Sequence, residues 1–217
     1  MNRKFICMLI MCVIPIITFA QRDNYVYLFD DFLSGQAVTK QNSVSRSKFN
    51  YDISTGKVHF LENGEVMILS DPDGIASVTI GEHHFINIGN GRFYEKINLE
   101  KINLFIDWKG AQVSQGSNTG YGKSQTTSSV YTDKYYSKTD VRSNDLSITI
   151  DYMTLLNNNY YLKFENKYKR FNSLKSLAKL FNGHEKEIME GLKNENLNFK
   201  EVPDVVKAVK YCSQFLQ

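Results

Sequence analysis

The sequence predicts an α+β fold: an antiparallel β-rich sandwich or partly open barrel, followed by a C-terminal helical segment of two to three helices. Apolar and polar residues alternate from Asn50 to about Trp108, with turn sequences at regular intervals. The alternation resumes in residues 146–169, and after residue 170 the apolar residues recur at a helical period. Because strands come first and helices last, we expect the helices to pack on one face or end of the sheet.

The first 20 residues have the layout of a secretory signal peptide. Two basic residues precede an apolar run from Phe5 to Phe19, and Ala20 is the small residue at the cleavage site. The run is shorter than the roughly 20 residues that a spanning helix needs. We therefore predict cleavage after Ala20 and export to the periplasm, the cell surface or the medium, with no membrane span in the mature chain. Lipoprotein processing at Cys12 is disfavoured, because Met11 stands where a small residue is needed.

Removal of this leader changes both the charge and the cysteine content. The formal net charge of +3 falls to +1, because the leader contains two basic residues and no acidic ones. A nearly neutral chain offers no electrostatic basis for binding nucleic acid. Cys7 and Cys12 leave with the leader, so the mature chain keeps Cys212 alone and forms no intrachain disulfide. Cys212 lies in an apolar helical pattern and is interpreted as a core residue.

The predicted β-rich domain covers residues 21–170. Its first strands are joined by turn sequences, among them Asn63-Gly64, which favours the positive φ of a tight hairpin, and Asp71-Pro72-Asp73-Gly74. The strand phrases up to Trp108 are KFNYDI, KVHFL, EVMILS, IASVTI, HHFINI, RFYEKI and KINLFIDW. Their spacing of 8 to 12 residues is typical of a sandwich or a barrel-like sheet.

The segment from about 111 to 140 is rich in Gly, Ser, Thr, Gln and Tyr and has almost no aliphatic residues. Such a segment gains little from burial to offset the entropy of ordering its backbone. We expect most of it to be a long flexible loop, a flexible excursion or a weak edge hairpin. Strand signal resumes in LSITIDYMTLL and NYYLKFENKYK.

Residues 171–217 are predicted to form helices that pack on the same domain. Ser173 is placed to cap a first helix with an apolar stripe, and Gly183 stands where its C-cap is expected. A weaker helix is predicted from about Glu185 to Lys193. Pro203 occupies a first-turn position of a third helix.

Several of these phrases together resemble those of a group of exported proteins from Gram-negative bacteria. The phrases are FNYDISTGKVHFLENGEVMIL, GIASVTIGEHHFINI, a Ser/Thr-rich loop containing Tyr-Gly, and SLKSLAKLFNGHEKEIMEGLKNENLNF, together with the leader. The resemblance covers most of the mature chain and implies export and a shared architecture. No activity is assigned to that group, so it implies no catalytic residues.

Residues 116–124, GSNTGYGKS, resemble a phosphate-binding loop. The P-loop spacing G-x-x-x-x-G-K-[ST] places its first glycine at position 117, which is Ser117, whereas Gly116 lies one residue too early. The residues after Ser124 have poor helix propensity, although a P-loop opens a helix. We therefore predict no nucleotide site here and interpret the stretch as a polar loop.

No metal site or cofactor is predicted. Asp71 and Asp73 lie in an ordinary turn sequence, and the residues that follow do not supply the ligands of an EF-hand loop. His83 and His84 are adjacent in a predicted strand and therefore point to opposite faces. Neither has the spacing to His or Cys partners that zinc sites use.

The sequence gives no marker of catalysis. It has no G-x-S-x-G elbow that would single out one serine as a nucleophile. Carboxylates such as Glu82, Glu95 and Asp107 remain open candidates for glycoside chemistry, because two carboxylates that meet in space leave no trace in the sequence.

Aromatic residues are the one surplus that suggests a binding surface. The cluster consists of Trp108, Tyr131, Tyr135, Tyr136, Tyr152, Tyr160 and Tyr161. Packing within the sheet is the favoured interpretation for most of them. Tyr131, Tyr135 and Tyr136 lie in the polar segment, and we predict that these three contact a ligand or partner.

We accordingly expect an exported, non-catalytic binding or accessory protein of the bacterial envelope, whose partner is an envelope protein or a glycan. The alternative is a secreted hydrolase that acts on glycan or peptide. A third possibility is assembly into a larger complex through an exposed sheet edge.

Overall fold

The computed structural model describes residues 25–119, 122–123, 136–137 and 150–216, and for 114–119, 122–123, 136–137 and 150–152 the description covers the backbone alone. The strands are β1 Leu33–Thr39, β2 Val44–Asp52, β3 Lys57–Glu62, β4 Glu65–Ile68, β5 Ile75–Ile80, β6 His83–Asn87, β7 Phe93–Leu99, β8 Ile102–Asp107, β9 Gly110–Thr119, β10 Gly122–Lys123, β11 Tyr136–Ser137, β12 Ile150–Leu156, β13 Asn159–Phe164 and β14 Lys167–Phe171. The helices are α1 Leu174–Ala178, α2 Glu185–Gly191 and α3 Val202–Ser213.

The strands form one large open sheet and one small sheet, and all their pairings are antiparallel. The ten-stranded sheet has the order β14-β13-β8-β7-β6-β5-β1-β2-β3-β4, and the four-stranded sheet has the order β10-β9-β12-β11. Three helices follow the last strand. The predicted α+β class, a β-rich sandwich or partly open barrel followed by helices, is therefore confirmed.

The large sheet curls so that strands distant in its order meet across a concave face. The Tyr51 ring in β2 stacks on Phe85 in β6 with 5.0 Å between centroids, although β1 and β5 separate these strands in the sheet. The Tyr51 hydroxyl also donates to the carbonyl oxygen of Phe93 in β7, 3.2 Å away. These contacts make the sheet a partly open barrel rather than a flat layer.

The apolar side chains form two clusters. One lies within the curl of the sheet and includes Phe49, Val78 and Phe85. The other lies between the β7, β8, β13 and β14 end of the sheet and the helices, where Cys212 is fully buried as predicted. Trp108 packs against both clusters and so joins them.

The helical segment follows the sequence prediction with one difference. The Ser173 side chain accepts a hydrogen bond from the Ser176 backbone N–H and caps α1 as expected. However, α1 ends at Ala178, and the chain continues to His184 through i→i+3 bonds of the 3-10 type. Gly183 (φ +88°) lies in that turn and is not the cap of α1.

The polar segment from about 111 to 140 contains strands where the structure describes it. β9 pairs with β12, and Gly122 and Lys123 pair back onto Thr119 and Asn118, so this part of GSNTGYGKS forms a backbone hairpin. Cross-strand backbone hydrogen bonds therefore order residues that have little apolar surface to bury. The rest of the segment, like the predicted leader, lies outside the described residues. Among the described helices, none has the length and apolar character needed to cross a membrane.

Candidate functional site

A cleft of about 1110 Å³ opens at one end of the curled sheet. Its lining residues come from five segments that lie within the ranges 51–58, 68–72, 90–93, 107–111 and 155–157. It therefore collects the turns and strand ends at the open end of the barrel, where connecting segments commonly carry binding residues.

One wall of the cleft is the turn after β2, which Asp52 holds in place. Asp52 is fully buried, and its Oδ1 accepts hydrogen bonds from the backbone N–H groups of Val26 (3.1 Å) and Ser54 (3.0 Å) and from the Ser54 hydroxyl (2.7 Å). Its Oδ2 accepts from the Thr55 hydroxyl at 2.5 Å. One buried carboxylate thus fixes both the turn and the N-terminal segment beside it.

The opposite rim is the β6–β7 turn, which is tied to the turn before β5. The backbone N–H of Gly91 donates to Asp73 Oδ1 at 2.7 Å. Gly91 has φ +65°, and a Cβ atom there would lie 2.9 Å from Pro72 Cγ. Both features favour glycine, because a positive φ is costly for most residues that carry a Cβ atom, and the close approach to Pro72 leaves no room for one without a shift.

Among the described residues, the charged side chains that line the cleft are three cations and one carboxylate. Asp107 accepts from Asn159 Nδ2 at 3.0 Å and pairs with Lys109 Nζ at 3.1 Å. Lys57 and Arg92 are exposed, and no ion pair joins either of them to a described acidic side chain. The rim therefore presents two cationic donors beside the apolar surface of Trp108.

A hydrogen-bond chain runs from Trp108 through the buried Glu95 to the partly exposed His83. The indole N–H donates to Glu95 Oε2 at 2.5 Å, and Glu95 Oε1 lies 2.6 Å from His83 Nδ1. Glu95 is 5% exposed, whereas the His83 side chain is 41% exposed and lies against the ring of Phe29, with 4.7 Å between centroids. The hydrogen bond to Glu95 raises the pKa of His83, which outweighs the lowering by burial.

The sequence contains a signal that marks Glu95 as unusual. Glu95 is in phase with Phe93, Ile97 and Leu99 in an alternating strand, so a carboxylate stands on the apolar face. A charged residue at such a position has to be paired or hydrogen-bonded. The structure supplies those partners in Trp108 and His83.

The structure does not bring the three candidate carboxylates together. Glu95 is bonded to Trp108 and His83, and Asp107 to Lys109 and Asn159, while Glu82 is exposed. The two carboxylates of the Asp-Pro-Asp-Gly turn each bond locally through one oxygen: Asp71 Oδ1 accepts from the Gly74 N–H and Asp73 Oδ1 from the Gly91 N–H.

The two adjacent histidines lie on opposite faces of β6, as alternation predicts. His83 contacts Glu95 on the concave face, and His84 lies 3.4 Å from the Thr79 hydroxyl on the other. Across the described ranges, no group of three His, Cys, Asp or Glu side chains gathers in a geometry that suits a metal ion.

The tyrosines are divided between the described and undescribed parts of the chain. Tyr160 is buried against Phe171, and Tyr161 stacks on Tyr94 with 4.9 Å between centroids, so both pack within the sheet. Tyr131 and Tyr135 lie outside the described residues. Tyr136 pairs with Met153 through the backbone of β11, and its side chain is not described. The predicted contacts of these three tyrosines stay a prediction.

Comparisons with protein families, with curated proteins and with solved structures found no match. The resemblance to exported proteins of Gram-negative bacteria therefore stays a prediction.

Proposed function

We propose that the chain is an exported, non-catalytic binding or accessory protein of the bacterial envelope, and that the cleft beside Trp108 holds its ligand. The observation that carries the proposal is the cleft itself. Its volume of about 1110 Å³ slightly exceeds the roughly 300–1,000 Å³ of small-ligand sites and suits a short oligosaccharide or a peptide segment.

The chemistry of the lining agrees with these two ligand classes. Trp108 offers an apolar ring face, and Ile68 and Leu155 extend the apolar surface. Lys57 and Arg92 add donors at the rim, while Ser54 and Asn157 add uncharged polar groups. A sugar ring or a peptide needs both an apolar face to stack on and groups that pair with hydroxyl, carbonyl or carboxylate oxygens.

The predicted leader supports the proposed location in the bacterial envelope, but it carries no information about which ligand the cleft binds. A basic start, an apolar run of about 15 residues and a small residue at position 20 are typical of export. In the envelope, glycans and the extended segments of other proteins are abundant partners for such a cleft.

Tryptophan fluorescence tests the proposal directly, because Trp108 is the one tryptophan of the sequence and lines the cleft. Purified protein is titrated with peptidoglycan fragments, with neutral oligosaccharides and with a panel of extended peptides. We expect a saturable change in emission for one class. The variants K57A and R92A should weaken that binding about five- to tenfold each, as loss of a charge-assisted hydrogen bond does.

The matched control is K167A, which removes a lysine from β14, a strand that does not line the cleft. It should bind as the unaltered protein does. The proposal of a ligand in the cleft fails if no probe changes the emission, or if K57A, R92A and K167A all bind equally.

One observation favours the alternative, a hydrolase. A histidine whose Nδ1 is held by a buried carboxylate is the arrangement that general bases use. The described residues, however, give His83 no hydroxyl or thiol partner that would act as a nucleophile. Turnover of a glycan or peptide that is lost in H83A would establish the hydrolase, whereas binding that is unchanged in H83A and occurs without turnover supports the binding protein.

A further inference from the structure

The two edges of the ten-stranded sheet differ in how they are protected. At one edge, β14 carries the exposed cations Lys167, Lys169 and Arg170, and such charges discourage pairing with another chain. At the other edge, all four residues of β4 are exposed, and three of them are large and apolar: Val66 (44%), Met67 (40%) and Ile68 (39%). Among the described strands, β4 is therefore the less protected edge.

The register of the β3–β4 hairpin shows which backbone groups of β4 point outward. Met67 lies opposite Phe60, and the N–H of Leu69 donates to the carbonyl oxygen of Val58 at 3.0 Å. Hydrogen-bonded and non-hydrogen-bonded pairs alternate along an antiparallel ladder, so Met67 and Leu69 bond to β3. The N–H and C=O groups of Val66 and Ile68 then point away from it. Among the described strands, β3 is the one neighbour of β4.

We propose that β4 pairs antiparallel with β4 of a second copy of this chain, about a two-fold axis that passes midway between the two Met67 residues. In this register Val66 of each copy lies opposite Ile68 of the other. Both residues have outward-facing backbone groups, so each pair exchanges two N–H···O bonds. A shift of the register by one residue would set Val66 or Ile68 opposite a residue whose backbone groups are already bonded to β3.

In this register, the β4 side chains of one copy also complement those of the other copy. Val66 and Ile68 of both copies lie on one face and form a four-residue aliphatic cluster, and the two Met67 side chains meet on the other face. Glu65 lies opposite Leu69 of the other copy, so no like charges face each other across the pair. This self-complementarity is the reason to commit to a second copy rather than to a different protein.

Such a dimer would extend the rim of the cleft. Ile68, Leu69 and Ser70 line the cleft, and the same register sets the other copy's Asn63-Gly64 turn beside Ser70 and Asp71. A four-residue edge buries less than the roughly 1,200–2,000 Å² of stable interfaces, so we expect a dimer that dissociates on dilution.

Sedimentation velocity on the purified protein from about 1 to about 200 µM tests for the dimer. The two Met67 residues face each other across the two-fold axis, so M67K sets two lysines opposite each other and M67E sets two glutamates opposite each other. We expect each variant alone to be monomeric and an equimolar mixture to associate again, because the mixed pair brings opposite charges together. M189K is the matched control, since Met189 on α2 is 39% exposed and lies outside the sheet.

Disulfide cross-linking tests whether the two Met67 residues face each other across the proposed two-fold axis. Non-hydrogen-bonded antiparallel pairs place Cα atoms about 4.5 Å apart, which permits a disulfide. We expect M67C to form a disulfide-linked dimer under mild oxidation and M189C to form none at the same concentration. A chain that stays monomeric throughout, or a dimer that M67K leaves intact, overturns the proposal. So does an M67C variant that cross-links no faster than M189C, or a β4 edge that takes up an added peptide without self-association.

Discussion

Trp108 and Glu95 are joined by a hydrogen bond of 2.5 Å from the indole N–H to Oε2, and this bond connects the wall of the cleft to a buried carboxylate. Trp108 also packs against both hydrophobic clusters. One side chain therefore couples the stability of the two halves of the core to the shape of the candidate binding site.

Substitution W108F should destabilise the protein by about 1–3 kcal/mol, because it removes ring contacts with both clusters and leaves Glu95 Oε2 without its donor. The measurement is urea unfolding followed by circular dichroism, since the variant lacks the tryptophan signal.

Combination with E95A separates the hydrogen bond from the packing, because alanine leaves no acceptor for the indole N–H, whereas glutamine would keep one. If the bond matters, the costs of W108F and E95A do not add, and the interaction energy is about 0.5 kcal/mol or more. Additive costs would show that Trp108 stabilises the fold through packing alone.

The His83–Glu95 pair predicts a dependence of stability on pH. Glu95 raises the pKa of His83 above its ordinary value of 6.5, so the folded state favours the protonated ring. That stabilisation is fully present below pH 6.5 and is lost as the pH rises through the pKa of the folded state. Because His83 is partly exposed, we expect less than about 1 kcal/mol. The free energy of unfolding between about pH 5 and 9 should show this loss in the unaltered protein and not in H83Q.

His84 is the matched control, since burial lowers its pKa from the ordinary value of 6.5. It contributes a loss of stability as the pH falls below 6.5, which is the opposite sign. H84Q should therefore keep the loss at high pH and reduce the loss at low pH. The interpretation is wrong if H83Q and H84Q have the same pH profile.

Local chemistry made much of this fold predictable. Asn63 (φ +52°) and Gly64 (φ +86°) form the tight turn that their sequence favours, and Ser173 caps α1. Pro203 lies in the first turn of α3. Each of these features depends on a few consecutive residues and therefore leaves a trace in the sequence.

Features that depend on distant residues were not predictable. The contact between Tyr51 and Phe85 requires the sheet to curl across two intervening strands, and the cleft exists because of that curl. The partners of Glu95, Trp108 and His83, are 13 and 12 residues away, and alternation alone marks only the unusual position of Glu95. The pairing of β9 with β12 joins segments that are separated by the polar stretch.

Substitution D52A should cost about 2–4 kcal/mol, because it leaves buried donors of the turn and of Val26 without an acceptor. Limited proteolysis should also cut the segment before β1 faster, since Asp52 holds that segment to the sheet. The exposed Asp30 provides the control D30A, which should stay within about 0.5 kcal/mol of the unaltered protein. Equal stability of the two variants would contradict the role of Asp52.

Cys212 should not react in the folded protein, because burial raises the pKa of its thiol to about 12 and its side chain is fully buried. A disulfide reagent such as Ellman's reagent at about pH 8 should detect no thiol before unfolding. M189C should react at once, which shows that the reagent is active on an exposed thiol. After unfolding, the unaltered chain should release one equivalent if Cys7 and Cys12 left with the leader, and three equivalents if the leader is retained. Rapid reaction of every thiol of the folded chain would contradict the buried position of Cys212, whereas three equivalents after unfolding would contradict the predicted cleavage after Ala20.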